Sequence, residues 1–440
     1  MAALIVGGIS LGIGLAGAPA NLVLGTLAAL LALGATIYRP ALGLAVLMFT
    51  YPFDLTTFVG PVKVTTSYAL FAILIAVWVA REILPNPPKW QRTSLDWPVV
   101  LFAVATFLSL LGLTGNYTDQ LVALLKATGG FVLFFIATQS LRSRGDVWLV
   151  VGAVLATGLI QSVETILPVV NGTVVVSDAT RATGTVNEAN DFAGYLVLVG
   201  PLAVAAGLTL RHRWLTIAGG LGTLLFGAAL VATLSRSGWI GIVVAVIALA
   251  VLLPQRRRQI AMIGGGVLAV LLIGGLAGPI ADRLGNQAGS SPLDTFLARV
   301  PIWSAALAIF VQHPIFGIGV DQFQNMIDSF NPDLGVNQAH NLFLNMAAER
   351  GVLGFGTFVA LVVMLFKVLR SALRSALSFP YRVLAAGLIA SFLGFFAHSQ
   401  FDVSYYDYKI LLMFWFLVGL AATLTSLQNS PVTTTEAARG

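Results

Sequence analysis

The chain contains no cysteine, and this alone excludes disulfide staples, thiolate nucleophiles and cysteine-ligated metal centres. Charge is scarce as well: Asp, Glu, Lys and Arg make up 10% of its 440 residues, against roughly a quarter in soluble domains. Hydrophobic residues fill the space, at 58% of the chain, and the mean hydropathy is +0.91. Water is not the main solvent of such a sequence. The +6 net charge would point to nucleic acid in a soluble protein. Here, however, Lys and Arg sit in short connectors between apolar runs, which is how a membrane protein sets its orientation, so no nucleic-acid partner is expected.

Apolar runs of about 20 residues, the length that crosses a bilayer core as a helix, recur from end to end. They fall at 2–17, 19–37, 40–54, 65–83, 95–113, 121–139, 146–168, 189–208, 213–233, 237–253, 259–278, 351–370, 380–398 and 408–427. The first three are short or Gly-rich, so the expectation is an all-α polytopic membrane protein of about 12–14 transmembrane helices. The run from Ala2 lacks a basic leader and a small-residue cleavage site, and reads as a retained helix. Four regions follow: a transmembrane bundle over 1–278, a larger helical loop region over 279–350, C-terminal transmembrane helices over 351–428, and a polar, disordered tail over 429–440.

Basic connectors occur at Arg39, at Arg81, Lys89 and Arg92, at Arg142 and Arg144, at Arg211 and Arg213, at Arg256 to Arg258, and at Arg370, Arg374 and Arg382. All fall on one side of the threaded chain. The positive-inside rule makes that side cytoplasmic, together with both termini. The opposite face receives Asn171 to Glu188, the Ser235-Arg236-Ser237 turn, the stretch from Pro279 to Arg350, and His398 to Tyr408. In the long stretch, Pro301 to Val311 and His340 to Arg350 have the pattern of amphipathic helices.

Arginines on that outer face run against topology selection, and Arg181, Arg236, Arg283, Arg299 and Arg350 all remain there. For each alone, a helix C-terminal cap or snorkelling toward lipid phosphate is as good an account as a functional role. Several together point to a shared anion, because the guanidinium fork binds phosphate oxygens bidentately and keeps its charge when desolvated. His340 is the second signal. It heads a helix whose Asn341, Asn345 and Glu349 recur at four-residue spacing along one face. An imidazole there suits either a general base or a hydrogen-bonded structural group. Asn190 lies in a polar helix entry with Glu188 and Asp191, where carboxylates favour the helix dipole. His398 and Asp402 belong to a polar and aromatic collar between two spans, where tyrosines are ordinary interfacial residues.

Four stretches carry a resemblance: RATGTVNEANDFAGYL at 181–196, TLSRSGWIG at 233–241, RVPIWSAALAIFVQHPIFGIGVDQF at 299–323 and AHNLFLNMAAERGVLG at 339–354. In order and spacing they resemble the successive signatures of the O-antigen ligase and polymerase superfamily of bacterial membrane proteins. The resemblance implies a glycosyltransferase-C-like bundle in the bacterial inner membrane with a periplasmic active site. It also implies inverting transfer of a glycan from undecaprenyl pyrophosphate to an acceptor hydroxyl, without metal or other cofactor. Lipid A-core is the acceptor for a ligase, a growing lipid-linked chain for a polymerase, and a protein Ser or Thr for the related oligosaccharyltransferases; the modest loop region favours the ligase. By similarity His340 is the base and Arg181, Arg236 and Arg299 hold the pyrophosphate, with Asn341, Asn190, Arg350, His398 and Asp402 as further substrate contacts. No DxD-type carboxylate pair is evident on the outer face, in keeping with a metal-free reaction. A lipid or solute transporter, the alternative of a different class, predicts ionisable groups in mid-span and paired broken helices. The spans here carry few charges, Lys126 and Glu164 being the nearest exceptions.

Overall fold

Backbone groups in lipid find no water, so each apolar run must satisfy its own amides, and the helix does so within one segment. The computed structural model follows that rule. It describes residues 30–427 apart from 31–32, 54–55, 60–61, 84–86, 113–116, 175, 178–179, 187, 211, 274–291, 331–335 and 376–377. The expected span at 2–17, most of that at 19–37, Arg283 and the tail over 429–440 lie outside the described residues.

From residue 40 onward a helix stands at every expected span. In order they are α1 (Pro40–Thr50), α2 (Thr66–Ile83), α3 (Asp96–Leu108), α4 (Tyr117–Ser140), α5 (Arg144–Val170), α6 (Ala189–Thr209), α7 (Arg213–Ala232), α8 (Arg236–Leu252) and α9 (Arg257–Ile273). Three shorter helices follow, α10 (Pro292–Leu297), α11 (Val300–Gln312) and α12 (Phe323–Phe330), then α13 (Leu342–Arg374), α14 (Phe379–His398) and α15 (Tyr408–Ser426). Among the described residues 7 helices are long and apolar enough to cross a membrane, or 8 if α8 and the segment after it, bent by 108°, count as one span. The fold is that of an all-α polytopic membrane protein, with one departure. Between α1 and α2 the chain forms an antiparallel hairpin, β1 (Thr56–Val59) and β2 (Val62–Thr65), in which Thr56 faces Thr65 and Val59 faces Val62. The β-branched residues on either side of Gly60-Pro61 are its sequence signal.

Helices α6, α14 and α15 are the most enclosed, and they are apolar on all sides; α5, α7 and α13 turn more of their surface outward. Lipid offers no hydrophobic drive to join helices, so packing itself must do it. At one crossing this is backbone against backbone: a Cβ on Gly394 of α14 would lie 2.7 Å from the Gly241 carbonyl of α8. Elsewhere aromatic rings interlock. Phe131 and Trp415 stand edge to face at 4.9 Å and Phe102 and Phe358 meet at 5.3 Å, which ties α3, α4, α13 and α15 together. Each such pair contributes about 0.5–1.5 kcal/mol beyond its burial.

The two ends of the bundle differ. At one, the basic connectors meet: Arg39 pairs with Asp146 at 2.6 Å, Arg142 donates to the Lys89 carbonyl at 2.9 Å, and Tyr381 donates to the Arg144 carbonyl at 3.3 Å. At the other, the segment from Arg299 to Phe323 folds over the start of α13. Ile302, Ala306, Ile309, Ile318, Phe323 and Ala348 form a small core of their own beneath it. The backbone of this cap is clasped to α13, with Ile318 N–H on the Ala348 carbonyl at 3.1 Å and Gly319 N–H on the Glu349 carbonyl at 2.9 Å. Such pairing is possible because α13 breaks at Gly351, whose φ of 61° and ψ of −165° leave the helix. Val352 N–H then turns to the Pro314 carbonyl at 2.7 Å.

Candidate active site

Asp402 is where the loops at the end of the bundle opposite the basic connectors converge. Arg181 donates from Nε to the Thr233 carbonyl at 2.8 Å and from Nη2 to Asn190 Oδ1 at 2.6 Å. Asn190 in turn donates from Nδ2 to Asp402 Oδ2 at 2.7 Å. One polar chain thus links the loop before α6, the first turn of α6 and the loop between α14 and α15. The other carboxylate oxygen, Oδ1, accepts from Val403 N–H at 2.8 Å and from the Ser404 hydroxyl at 3.4 Å. Ser404 also meets His398 Nε2 at 2.9 Å. Asp402 and His398 are both buried; the carboxylate is hydrogen-bonded through both oxygens, as buried polar groups require, whereas His398 is held through Nε2 alone.

His340 approaches from the other side. It lies one residue before the Asn341 N-cap rather than within the helix, with φ at 48°. A non-glycine residue there carries strain of about 1–3 kcal/mol, of the kind concentrated at functional sites. The same is true of Leu234, at φ 50°, two residues before Arg236. The imidazole is half-buried, and its Nδ1 is shielded from solvent without a partner among the described residues. Burial holds the ring below the ordinary histidine pKa and the charge of Arg299 lowers it further, while Asp402 pulls the other way. Burial and Arg299 together therefore favour the neutral form of His340. Arg299, half-buried above the Phe401 ring at 6.0 Å, is held below the usual guanidinium range by burial and by Arg236, and raised by Asp402. Arg236 opens α8, behind a turn in which Ser235 Oγ caps the helix by accepting from Gly238 N–H at 3.3 Å.

Arg299 and His340 thus lie in the field of Asp402, Arg181 reaches it through Asn190, and Arg236 lies in the field of Arg299. Other candidates have structural employment. Asn341 Oδ1 caps α13, accepting from Phe343 and Leu344 N–H at 3.0 and 3.1 Å, and its Nδ2 donates to the Gln400 carbonyl at 3.2 Å. His398 anchors the Ser404 turn. Arg350 stands apart from the Asp402 cluster. It is fully buried, donates to the Tyr406 hydroxyl and pairs with Glu349 at 3.3 Å, so it fastens α13 to that turn. The polar stripe expected along α13 exists, but inward: Asn345 and Glu349 are buried.

Sequence reasoning passed over Phe401 and Ser404, which position Arg299 and His398, and saw Gln400, which positions Asn341, only as part of the polar collar with His398 and Asp402. It also passed over Lys409, whose ammonium ties the carbonyls of Pro52 and Thr185 at 2.7 and 2.6 Å. Only the polar character of the 398–408 collar signalled them. Among the described residues no cluster of three or more His, Asp and Glu is placed to hold a metal ion.

Chemically, the arrangement offers three guanidinium groups for an anion, a neutral imidazole for a proton, and a carboxylate to face the imidazolium once formed. Residues 221–359 match a family model, and its description is O-antigen ligase. That segment is similar to the O-antigen ligases. It contains Arg236, Arg299 and His340, and its family is one of glycosyltransferase-type enzymes. Over 84 residues the chain is also 38% identical to a UPF0761 membrane protein of Verminephrobacter eiseniae (strain EF01-2), a stretch covering 19% of this chain and 20% of that protein. The chain thus matches about a fifth of that relative's length.

Proposed function

We propose that the protein is an O-antigen ligase, moving a glycan from undecaprenyl pyrophosphate to a lipid A-core hydroxyl at the periplasmic face of the inner membrane. The observation that carries this reading is the convergence of Arg299, His340 and, through Asn190, Arg181 on Asp402, with Arg236 in the field of Arg299. His340 takes the proton of the acceptor hydroxyl as its oxygen attacks the anomeric carbon. The bond from that carbon to the pyrophosphate oxygen breaks, the electron pair leaves with the diphosphate, and configuration inverts. Positioned cations at the leaving oxygens act where charge develops, and loss of one such interaction typically costs 10²–10³ in rate, on the order of 3–4 kcal/mol. General-base assistance adds about 10²–10⁴. Asp402 stabilises the imidazolium, and Asn190 keeps Arg181 and Asp402 in register.

The donor's chain has an apolar path nearby. A cavity of about 320 Å³ between α6, α7, α8 and α9, walled by Leu196, Phe226, Leu230, Ile242 and Val246, reaches Val231 just below the Leu234 turn. A polyprenyl tail in this cavity would leave its pyrophosphate near Arg236. The test is transfer by purified protein from a lipid-pyrophosphate glycan offered to lipid A-core. Glycan-capped lipid A-core is the expected product. Elongation of the glycan on its own carrier would make the protein a polymerase, and no turnover with either acceptor would remove the reading.

A further inference from the structure

A second cluster of arginines stands at the opposite end of the bundle. There the residues before α1 and the ends of α2, α4 and α5 enclose a cavity of about 250 Å³, walled by Arg39, Arg81, Arg142, Glu82, Asp146 and Trp78. Its charges are unevenly matched. Arg39 closes on Asp146 Oδ1 at 2.6 Å, while Oδ2 of the same carboxylate is occupied by the Ser143 hydroxyl at 2.7 Å and by the N–H groups of Ser143 and Arg142 at 2.8 and 3.2 Å. Arg142 spends its donors on the carbonyls of Gln139 and Lys89, both at 2.9 Å, and on Gln139 Oε1 at 3.3 Å. Arg81 meets no acceptor among the described residues and lies in the field of Arg142. Burial first, and then the Arg81 charge, hold Arg142 below the usual guanidinium range, and Glu82 only partly offsets them. The indole N–H of Trp78, shielded from solvent, has no acceptor among the described residues either.

Neighbouring cations and an unmatched indole donor around one cavity are completed by an oxyanion. We propose that this cavity binds the phosphate group of an anionic phospholipid in the leaflet it faces. The guanidinium fork matches phosphate oxygens, and its weak hydration makes it the cation best suited to a half-buried site. Depth supports a lipid as the source. Tyr38, Trp90 and Trp97 are exposed at this end of the bundle, as aromatic side chains are at the headgroup level of a bilayer. The apolar side chains of Leu74, Val77 and Ile136 continue the cavity wall along the helices, where the glycerol and upper acyl chain of a bound lipid would rest. Nothing in this site takes part in the transfer chemistry at Asp402.

The experiment uses the full chain in nanodiscs of phosphatidylcholine carrying increasing phosphatidylglycerol, read by thermal unfolding and by retained lipid in native mass spectrometry. Binding to the folded state raises the melting temperature in proportion to lipid occupancy. Wild type is expected to retain phosphatidylglycerol, and Arg81→Gln to weaken that retention by about tenfold or more, the loss of a charge-assisted hydrogen bond. Trp78→Phe, which removes only the indole donor, is expected to weaken it by about fivefold and covers the case in which Arg81→Gln fails to fold. Wild-type retention in both variants overturns the proposal. Inorganic phosphate reproducing the full stabilisation in pure phosphatidylcholine overturns the lipid as its source.

Discussion

His340 owes its behaviour to three neighbours: the apolar surroundings that bury it, Arg299, which disfavours its charge, and Asp402, which favours it. A base must be neutral to accept a proton, so activity is expected to rise with pH through the folded-state pKa and then level off. Because that pKa is depressed, the acid limb lies below the ordinary histidine value of about 6.5. Arg299→Gln removes a like charge and is expected to move the limb to higher pH. Asp402→Asn removes the opposing one and moves it lower. A pH–rate profile of residual activity in each variant reads both shifts, and an unmoved limb would detach His340 from this electrostatic cluster. The arginines carry a separate expectation. Arg236→Lys and Arg299→Lys keep the charge but lose the planar fork, and each is expected to lower kcat/KM by about tenfold or more. Unchanged rates would assign the two residues to anchoring at the membrane surface.

At the scale of elements, α13 decides where the site sits. Its break at Gly351 lets the cap segment pair with the helix backbone, and a Cβ there would lie 2.3 Å from the Ile315 carbonyl at a φ of 61°. Gly351→Ala is expected to destabilise the protein by about 1–3 kcal/mol and to loosen the cap that carries Arg299, measurable as a lower melting temperature with a raised KM. Full retention of both would show that the clasp does not position the cap. The glycine was visible in the sequence as the boundary between an amphipathic helix and a span. That the two form one broken helix was not, since the clasping partners Pro314 to Gly319 are brought there by tertiary folding. The spans were legible because long apolar runs admit few other structures in lipid. The β1–β2 hairpin was overlooked because its β-branched alternation is short and lies among apolar runs that dominate the reading.

At the scale of the whole molecule, the two ends of the bundle are chemically distinct, one holding the basic connectors and the other the Asp402 cluster. The sequence marked His340, Arg181, Arg236 and Arg299 as residue types suited to a base and to phosphate binding. It did not mark Asp402 as their common centre, because the Asn190–Asp402 bond joins positions 212 residues apart and only packing of α6 against α14 creates it. Arg350 shows the converse: alike in sequence, it is buried with Glu349 and Tyr406 and serves the framework. The central claim is that His340 performs the proton transfer at a donor site built separately by the arginines. Its most direct test compares wild type and His340→Ala, measuring binding of a lipid-pyrophosphate glycan and its transfer in the same preparation. The account predicts near wild-type donor affinity with transfer reduced by about 10²-fold or more. Transfer at the wild-type rate would contradict it, and would place the base elsewhere in the cluster.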